Sequence, residues 1–250
     1  ADGDFFVRIW GARGSLPACS GQASSFGCAT PCVEVRCGKR TFVLDAGSGS
    51  FPLGRQLAAG EARELDLLFT HCHYDHIEGL PFFRPLHSRD WTARIWSGHL
   101  AGRMTTEEMI TSYMQTPFFP VGPGCFSARL KFNDFSAGEV IDAGDGVTIR
   151  TLLLNHPGGA TGYRIDWQGS SLAIITDHEH GNEAKDDAVE LRQEHRGEDT
   201  EKAAKLCDVH MICDIGFDRK RNGFIHRVDR AYSVDVSYID GIITDSKGSS

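Results

Sequence analysis

The sequence lacks any apolar run that approaches the ~18 residues needed for a transmembrane helix. Its first ten residues, ADGDFFVRIW, also lack the charged and then apolar pattern of a secretory signal. We therefore expect no membrane association and a cytoplasmic location.

Cysteine is scarce for a chain of this length, with 8 cysteines among 250 residues. This density is far below that of a disulfide scaffold. Cys28 and Cys32 have a spacing that could begin a zinc site, but no second Cys or His pair follows at finger-like spacing. We therefore expect reduced thiols, as in cytoplasmic proteins.

Positive charge is in deficit, because 26 Lys and Arg residues stand against 34 Asp and Glu residues, a net charge of −8. This balance disfavours a broad basic surface for nucleic acid. One local stretch is basic, DRKRNGFIHRVDR at residues 218–230. Such a run is usually a solvated face, although beside a catalytic site it could guide phosphates.

Composition is that of a globular protein, with 40% hydrophobic and 24% charged residues. Short runs rich in Val, Ile, Leu and Phe are separated by Gly, Asp and Asn clusters, which predicts strands. Helical patterns lie between them at residues 51–65, 105–114 and 182–196. We predict one α/β domain over residues 1–250, with sheets covered by helices.

The most informative stretch is FTHCHYDHIEGLPFF, residues 69–83, which directly follows a buried apolar run. On an extended segment His71 and His73 point to the same side, because alternate side chains share a face. Asp75 and His76 follow where a helix would open, so a turn can bring them to the same cavity. A solvated polar loop is the alternative, but it would not need this spacing.

Two other predicted strands end in the same way. His156 follows TIRTLLLN, and Asp177 follows SLAIIT. Alone, His156 could be a hydrogen-bonded core histidine and Asp177 a helix cap. Together with the first cluster, these strand-end groups predict a convergent metal site.

Five segments carry a family resemblance: RIWGARGSLP, CVEVRCGKRTFVLDAGSG, THCHYDHIEGLPFF, NHPGGATGYRI and IITDHEH. They resemble metallo-β-lactamase-fold hydrolases, in particular the ribonuclease Z-like or cyclic-nucleotide phosphodiesterase-like branch. The resemblance implies an αββα sandwich of two mixed β-sheets flanked by helices, with a two-metal site at one edge of the sheets.

The resemblance also assigns roles at the metal site. It implies two divalent transition metal ions, zinc or manganese with iron as an alternative, that activate a water for hydrolysis. It implies that Asp45 supports a ligating histidine and that Asp75 is also catalytic. The implied ligands are His71, His73 and His156 for the first ion, Asp75 and His76 for the second, and Asp177 as the bridge.

Residues 216–250 depart from the family pattern, which supplies a sixth ligand as a histidine after the last strand. His226 in NGFIHRVD is a catalytic candidate without the expected Ser or Thr beside it. Asp245 in GIITD ends what could be the last strand and is a substitute ligand. A depleted second site is the alternative, and we expect the second ion to bind weakly.

The resulting hypothesis is a metal-dependent phosphodiesterase acting on a cyclic nucleotide or another small phosphodiester. Hydrolysis of an ester, lactone or thioester at the same metals is the alternative enzymatic function. A degenerate metal-binding module without catalysis is the non-enzymatic one. We expect a small phosphorylated substrate as partner and no extended nucleic acid, and a homodimer is left open.

Overall fold

The structure is a computed structural model that describes residues 5–18 and 27–178, together with the backbone of three strands within 206–227. None of the helices within these ranges is long and apolar enough to cross a membrane. The strands are β1 (Phe5–Gly11), β2 (Cys32–Cys37), β3 (Arg40–Leu44), β4 (Glu64–Phe69), β5 (Thr92–Ser97), β6 (Arg129–Asp134), β7 (Val140–Gly144), β8 (Val147–Leu154), β9 (Ala160–Trp167), β10 (Ser170–Ile174), β11 (Leu206–Val209), β12 (Asp214–Asp218) and β13 (Gly223–Arg227). The α-helices are α1 (Ser50–Ala59), α2 (Tyr74–Ile77) and α3 (Thr106–Tyr113).

The first sheet is mixed and has the order β1-β2-β3-β4-β5-β6. Strands β1 to β3 are antiparallel neighbours, whereas β3 to β6 run parallel. In β4, ELDLLF, every residue after Glu64 is buried, as expected of a parallel strand that is covered on both faces. The continuous apolar runs therefore form the centre of this sheet.

The second sheet has the order β11-β10-β9-β8-β7 and is also mixed. Only the β10–β11 pair is parallel among its described pairs. Strand β8, VTIRTLLL, buries Val147, Ile149 and Thr151 in alternation, because successive side chains of a strand point to opposite faces. This period of two directs one face of the sheet to the core.

One core lies between the two sheets. Phe42, Leu44 and Leu68 of the first sheet pack in the same apolar cluster as Tyr163 and Ile165 of the second. The Tyr163 hydroxyl donates to the Phe69 carbonyl at 2.6 Å, so a hydrogen bond also joins the sheets at the end of β4.

A second core lies on the outer face of the first sheet, where α1 and α3 pack. It includes Leu53 and Leu57 of α1, Ile110 of α3 and Leu67 of β4. A capping box at Thr105 and Glu108 starts α3, which lies within the helix predicted over residues 105–114. The helix predicted at residues 182–196 lies outside the described residues.

One local prediction was wrong, and one strand was missed. The helix predicted over residues 51–65 ends at Ala59, because Gly60 takes an extended conformation and the chain re-enters the first sheet at Glu64. Strand β7 was not predicted, because its sequence VIDAG has turn residues and it pairs with β8 through a bulge.

The cysteines correct one further expectation. Cys32, Cys37, Cys72 and Cys125 are free, but Cys28 is disulfide-bonded. The expectation of uniformly reduced thiols is therefore wrong at Cys28. Cys32 is fully buried, and this burial raises the pKa of its thiol far above the usual value.

Candidate metal centre

The candidate site forms where β4, β8 and β10 end. His71 follows β4, His156 follows β8 and Asp177 follows β10. The Thr161 amide donates to the Thr70 carbonyl at 2.7 Å, so the start of β9 is attached to the segment after β4. This bond places the loop that carries His156 beside His71.

Three histidines form the first donor group. His71 Nε2 lies 3.0 Å from His73 Nδ1, and His156 Nε2 lies 3.1 Å from the same nitrogen. All their ligand atoms lie within 4.8 Å of one another. Three convergent imidazole nitrogens are a typical transition-metal ligand set. The prediction that His71 and His73 share a face is confirmed.

The turn after His156 depends on two glycines. Gly158 and Gly159 have φ of +86° and +85°, a left-handed backbone that residues with a Cβ rarely adopt. A Cβ on Gly159 would also lie only 3.3 Å from the His99 carbonyl. The Gly159 amide donates to the His156 carbonyl at 2.8 Å. The Pro-Gly-Gly sequence thus turns the chain tightly beside the histidines.

A second donor group shares His71 and adds His76 and Asp177. His76 Nε2 lies 2.9 Å from Asp177 Oδ2, yet the two atoms are not aligned as a hydrogen bond. Both atoms are buried and have no hydrogen-bond partner among the described residues. Buried polar atoms normally have partners, so this pair fits a cation between the two side chains.

Asp45 orients His76 through the ring nitrogen that does not face Asp177. Its Oδ2 accepts from His76 Nδ1 at 2.8 Å, which leaves the other ring nitrogen directed at Asp177. Asp45 also accepts from the Thr70 amide at 2.7 Å and from the Thr70 hydroxyl at 2.8 Å. This carboxylate–histidine arrangement is the usual support of a metal-ligating imidazole. Asp45 therefore occupies the position that the resemblance implied.

The protonation tendencies of the histidines differ between the two groups. Burial, followed by the neighbouring histidines, lowers the pKa of His71 far below its usual value. Burial also lowers the pKa of His156. For His76 burial opposes the charge, but Asp45 and Asp177 outweigh it and raise the pKa well above the usual value. The lowered pKa values of His71 and His156 favour the neutral imidazole that binds a cation, whereas a cation at His76 would replace a proton.

Asp75 lies next to these groups without belonging to either. Its Oδ2 is 3.7 Å from His76 Nε2 and accepts from the Ser15 amide at 2.8 Å. Ser15 has a φ of +66° in the loop after β1. The RGSLP segment contributed to the resemblance, but its contact with Asp75 was not predicted. The metal and catalytic roles of Asp75 stay predictions.

For the C-terminal candidates, the structure describes at most the backbone. The backbone of His226 lies in β13, opposite Ile215 of β12. Asp245 lies outside the described residues. A catalytic role for His226 and a ligand role for Asp245 therefore stay predictions.

The sequence analysis did not name His99 as a candidate site residue, although His99 follows β5 as the predicted ligands follow their strands. It is buried, and its Nδ1 lies 3.1 Å from the Ser97 hydroxyl. Burial, followed by the charge of Arg103 and the nearby His73, lowers the pKa of His99 to about 4. The sequence SGH at residues 97–99 has the same signal, a histidine directly after a predicted strand, and would have made His99 a candidate.

Residues 40–200 match the family described as the Beta-lactamase superfamily domain. The chain belongs to this family. It is 28% identical over 166 residues to ribonuclease Z of Mycobacterium avium (strain 104), a match that covers 60% of this chain and 56% of that protein. The chain thus spans little more than half the length of this relative. The predicted family is confirmed, and the relative belongs to its ribonuclease Z branch.

Solved structures support the fold. The metallo-beta-lactamase fold protein YhfI from Bacillus subtilis superimposes with a TM-score of 0.50 at 20% identity, over 70% of this chain and 63% of that one. A diphosphatase from the PhnP family superimposes with a TM-score of 0.52 at 17% identity, over 74% and 69%. The predicted metallo-β-lactamase fold, a sandwich of two mixed sheets flanked by helices, is confirmed.

Proposed function

We propose that the protein is a metal-dependent hydrolase that cleaves a cyclic nucleotide or another small phosphodiester. One observation carries the proposal: two groups of donor atoms share the buried His71, one made of histidines and the other completed by the buried His76 and Asp177. Two adjacent cation positions of this kind are a recurrent solution for phosphate ester hydrolysis.

The donor chemistry fits divalent transition metals. Imidazole nitrogens suit zinc, manganese or iron, and the Asp177 carboxylate suits the harder of these ions. His71, His73 and His156 would hold the first ion, His76 and Asp75 the second, and Asp177 both. When bound, such ions lower the pKa of a water ligand toward ~7 and neutralise charge that develops on phosphoryl oxygens.

The chain itself orients the reacting groups. Asp45 keeps the His76 ring in one tautomer, and the Thr70 hydroxyl lies 3.1 Å from His71 Nδ1 on the side away from His73. The Ser15 amide holds one oxygen of Asp75. We assign Asp75 the role of accepting a proton from the attacking water, because its carboxylate adjoins His76 at the rim of the buried group.

Two observations favour a small phosphodiester over other substrates. The curated relative is a ribonuclease by name, and RNA is linked by phosphodiesters. The net charge of −8 disfavours a long polyanion, because binding RNA depends on many basic contacts to its phosphates. A small phosphodiester needs only the local charge of the site.

The test is hydrolysis by protein that has been stripped of metal and then reconstituted with zinc or manganese. We expect release of p-nitrophenol from bis-p-nitrophenyl phosphate, and loss of that activity on chelation. Faster turnover of p-nitrophenyl acetate, a lactone or a thioester would contradict the phosphodiesterase assignment. Uptake of metal without any hydrolysis would indicate a binding module.

The second ion is proposed to be the weaker one, completed by Asp245 with His226 acting on the substrate. Substituting Asp245→Ala should abolish the stimulation by added manganese while one tightly bound ion remains. The check is calorimetric titration of the parent and the variant. Two equally tight ions in both proteins would contradict the assignment.

A further inference from the structure

A cavity of about 620 Å³ is lined by α1 and by the segment that follows α2. Its volume lies within the range of about 300–1,000 Å³ that is usual for small-molecule sites. The described residues that line it are Phe51, Arg55, Phe82, Arg84, His87 and Ser88. None of them belongs to either donor group of the metal centre. The cavity is therefore a candidate for a second binding site with its own ligand.

The two walls of the cavity are held together by a close approach at Gly54. A Cβ at this position would lie 2.9 Å from the Arg84 amide nitrogen and 2.9 Å from a ring carbon of Phe83, so only glycine fits without a shift. Phe51 and Arg55 are four residues apart on α1 and thus share one face of the helix. The backbone therefore fixes this face of α1 next to the segment that carries Arg84.

Two exposed phenylalanines form the apolar part of the lining. Phe51 is 53% exposed and Phe82 is 57% exposed, although phenylalanine side chains are mostly buried in folded proteins. The Phe82 ring packs edge to face against Phe119 with 6.1 Å between the ring centroids, which supports it from one side. Exposed aromatic rings in a concave site favour contact with another ring.

Arg55 and Arg84 supply the charge of the cavity. Both are exposed, and neither guanidinium forms a hydrogen bond or an ion pair with a residue that the structure describes. The described lining contains no carboxylate. Asp90, two residues after Ser88, is already paired with Arg63 at 2.7 Å. The cavity is thus a positive site on a protein of net charge −8, and it favours an anion.

The combination of charge and ring surface distinguishes between possible occupants. A planar guanidinium can bind both oxygens of a carboxylate, and the N–H donors of Arg55 and Arg84 are available for this. An inorganic anion would use the arginines but leave the phenylalanine rings in water. A second copy of the chain is disfavoured, because a two-fold interface would place the same positive surface on both sides.

We propose that this cavity binds a small aromatic carboxylate, with its ring against Phe51 and Phe82 and its carboxylate paired with Arg55 and Arg84. The ligand is distinct from the substrate of the proposed hydrolysis, and its binding requires no metal ion. The site therefore adds a function to the chain that does not depend on the metal centre.

The first experiment is an NMR titration of zinc-loaded protein with 2-naphthoate as the probe. The amide 2-naphthamide has the same ring without the charge, and acetate has the charge without the ring. We expect each of these two compounds to bind at least about 10-fold more weakly than 2-naphthoate. Equal affinity for 2-naphthoate and 2-naphthamide, or no binding of 2-naphthoate, would overturn the proposal.

Substitutions then locate the probe. Arg55→Gln and Arg84→Gln should each weaken 2-naphthoate binding by roughly 10-fold. Arg89→Gln is the matched control, because Arg89 is exposed in the same segment but lies outside the lining, and it should bind as the parent does. Parent-like affinity in both lining variants, or an equal loss in Arg89→Gln, would overturn the proposal.

The ring contact is tested by Phe51→Ala. Alanine has a higher helix propensity than phenylalanine, so α1 should be retained. We expect 2-naphthoate to bind this variant about 3–10-fold more weakly, while the weak affinity for acetate stays at the parent value. Parent-like affinity for 2-naphthoate would show that the rings do not contact the ligand and would overturn the assignment of an aromatic ligand.

Carboxylates also bind zinc, so the parent is titrated both zinc-loaded and after chelation. We expect equal affinity for 2-naphthoate in the two forms, because the lining lies outside both donor groups. Loss of binding on chelation would place the probe at the metal centre and overturn the proposal. Since no step of these titrations uses turnover, a protein that binds 2-naphthoate as expected but hydrolyses no phosphodiester would contradict the proposed function alone.

Discussion

Charged or polar side chains are buried at both ends of β4, but the hydrogen bonding of these side chains differs between the two ends. Near its start, the buried Asp66 accepts from Arg40 Nη2 at 2.6 Å, Arg94 Nε at 2.7 Å and Trp96 Nε1 at 3.0 Å. Beyond its end, His76 Nε2 and Asp177 Oδ2 are buried without a hydrogen-bond partner among the described residues.

This contrast separates a structural charge cluster from a ligand site. A buried carboxylate with several donors is compensated within the protein, and removing it leaves its partners uncompensated. The His76–Asp177 pair, 2.9 Å apart, is compensated by a proton on His76 or by a bound cation that replaces this proton, which is the behaviour of a ligand site. Substitutions at the two ends should therefore affect different properties.

The largest effect is expected for His71→Ala, because His71 belongs to both donor groups. The first ion should be lost and the second weakened, and activity on bis-p-nitrophenyl phosphate should fall at least ~10⁴-fold, since the two-ion centre that lowers the pKa of water is broken. Elemental analysis and kinetics check this, with His87→Gln as the control. His87 is outside both groups and contacts the Pro81 carbonyl. Retention of two ions would show that His71 is not a ligand and that the two ends of β4 do not differ in the way described.

Asp177→Asn should lower kcat by roughly 10³-fold and release one ion, because an amide replaces the carboxylate that faces His76. Asparagine is preferred to alanine here, since Asp177 has a φ of +52° and asparagine tolerates this left-handed conformation. The melting temperature of the metal-free protein should stay near that of the parent. Near-normal kcat with two bound ions would contradict the assignment.

Asp66→Ala should act in the opposite way, lowering stability by about 3 kcal/mol while metal stoichiometry is unchanged. The loss arises because Arg40 and Arg94 keep their charges without the shared carboxylate. Urea unfolding of metal-free protein measures the change. If unfolding is unaffected while an ion is lost, the structural interpretation of this cluster fails.

The smallest effect is expected for Asp45→Asn, which weakens the support of His76 without removing a ligand. Affinity for the second ion should fall by about 10–100-fold, whereas the first ion stays bound. Competition with a chromogenic chelator distinguishes the two ions. Equal weakening of both would show that Asp45 supports the whole centre.

Much of this architecture could be predicted from local sequence. The continuous run LDLLF predicts a buried strand, and the HxHxDH spacing places His71 and His73 on one face. The same reasoning placed His156 and Asp177 at strand ends. It failed at Gly60 and β7, where a glycine cap and a bulge override the pattern of apolar residues.

The sequence by itself thus determined most of the strands and the family, and it placed the candidate ligands His71, His156 and Asp177 after strand ends, because these features depend on spacing along one segment. Only the tertiary structure decided the hydrogen-bond partners: Asp45 for His76, the Ser15 amide for Asp75, and the Gly158 carbonyl for Arg103. Each of these contacts joins segments that are far apart in the chain. Local spacing carries no information about such contacts, which arise from strand pairing and sheet packing.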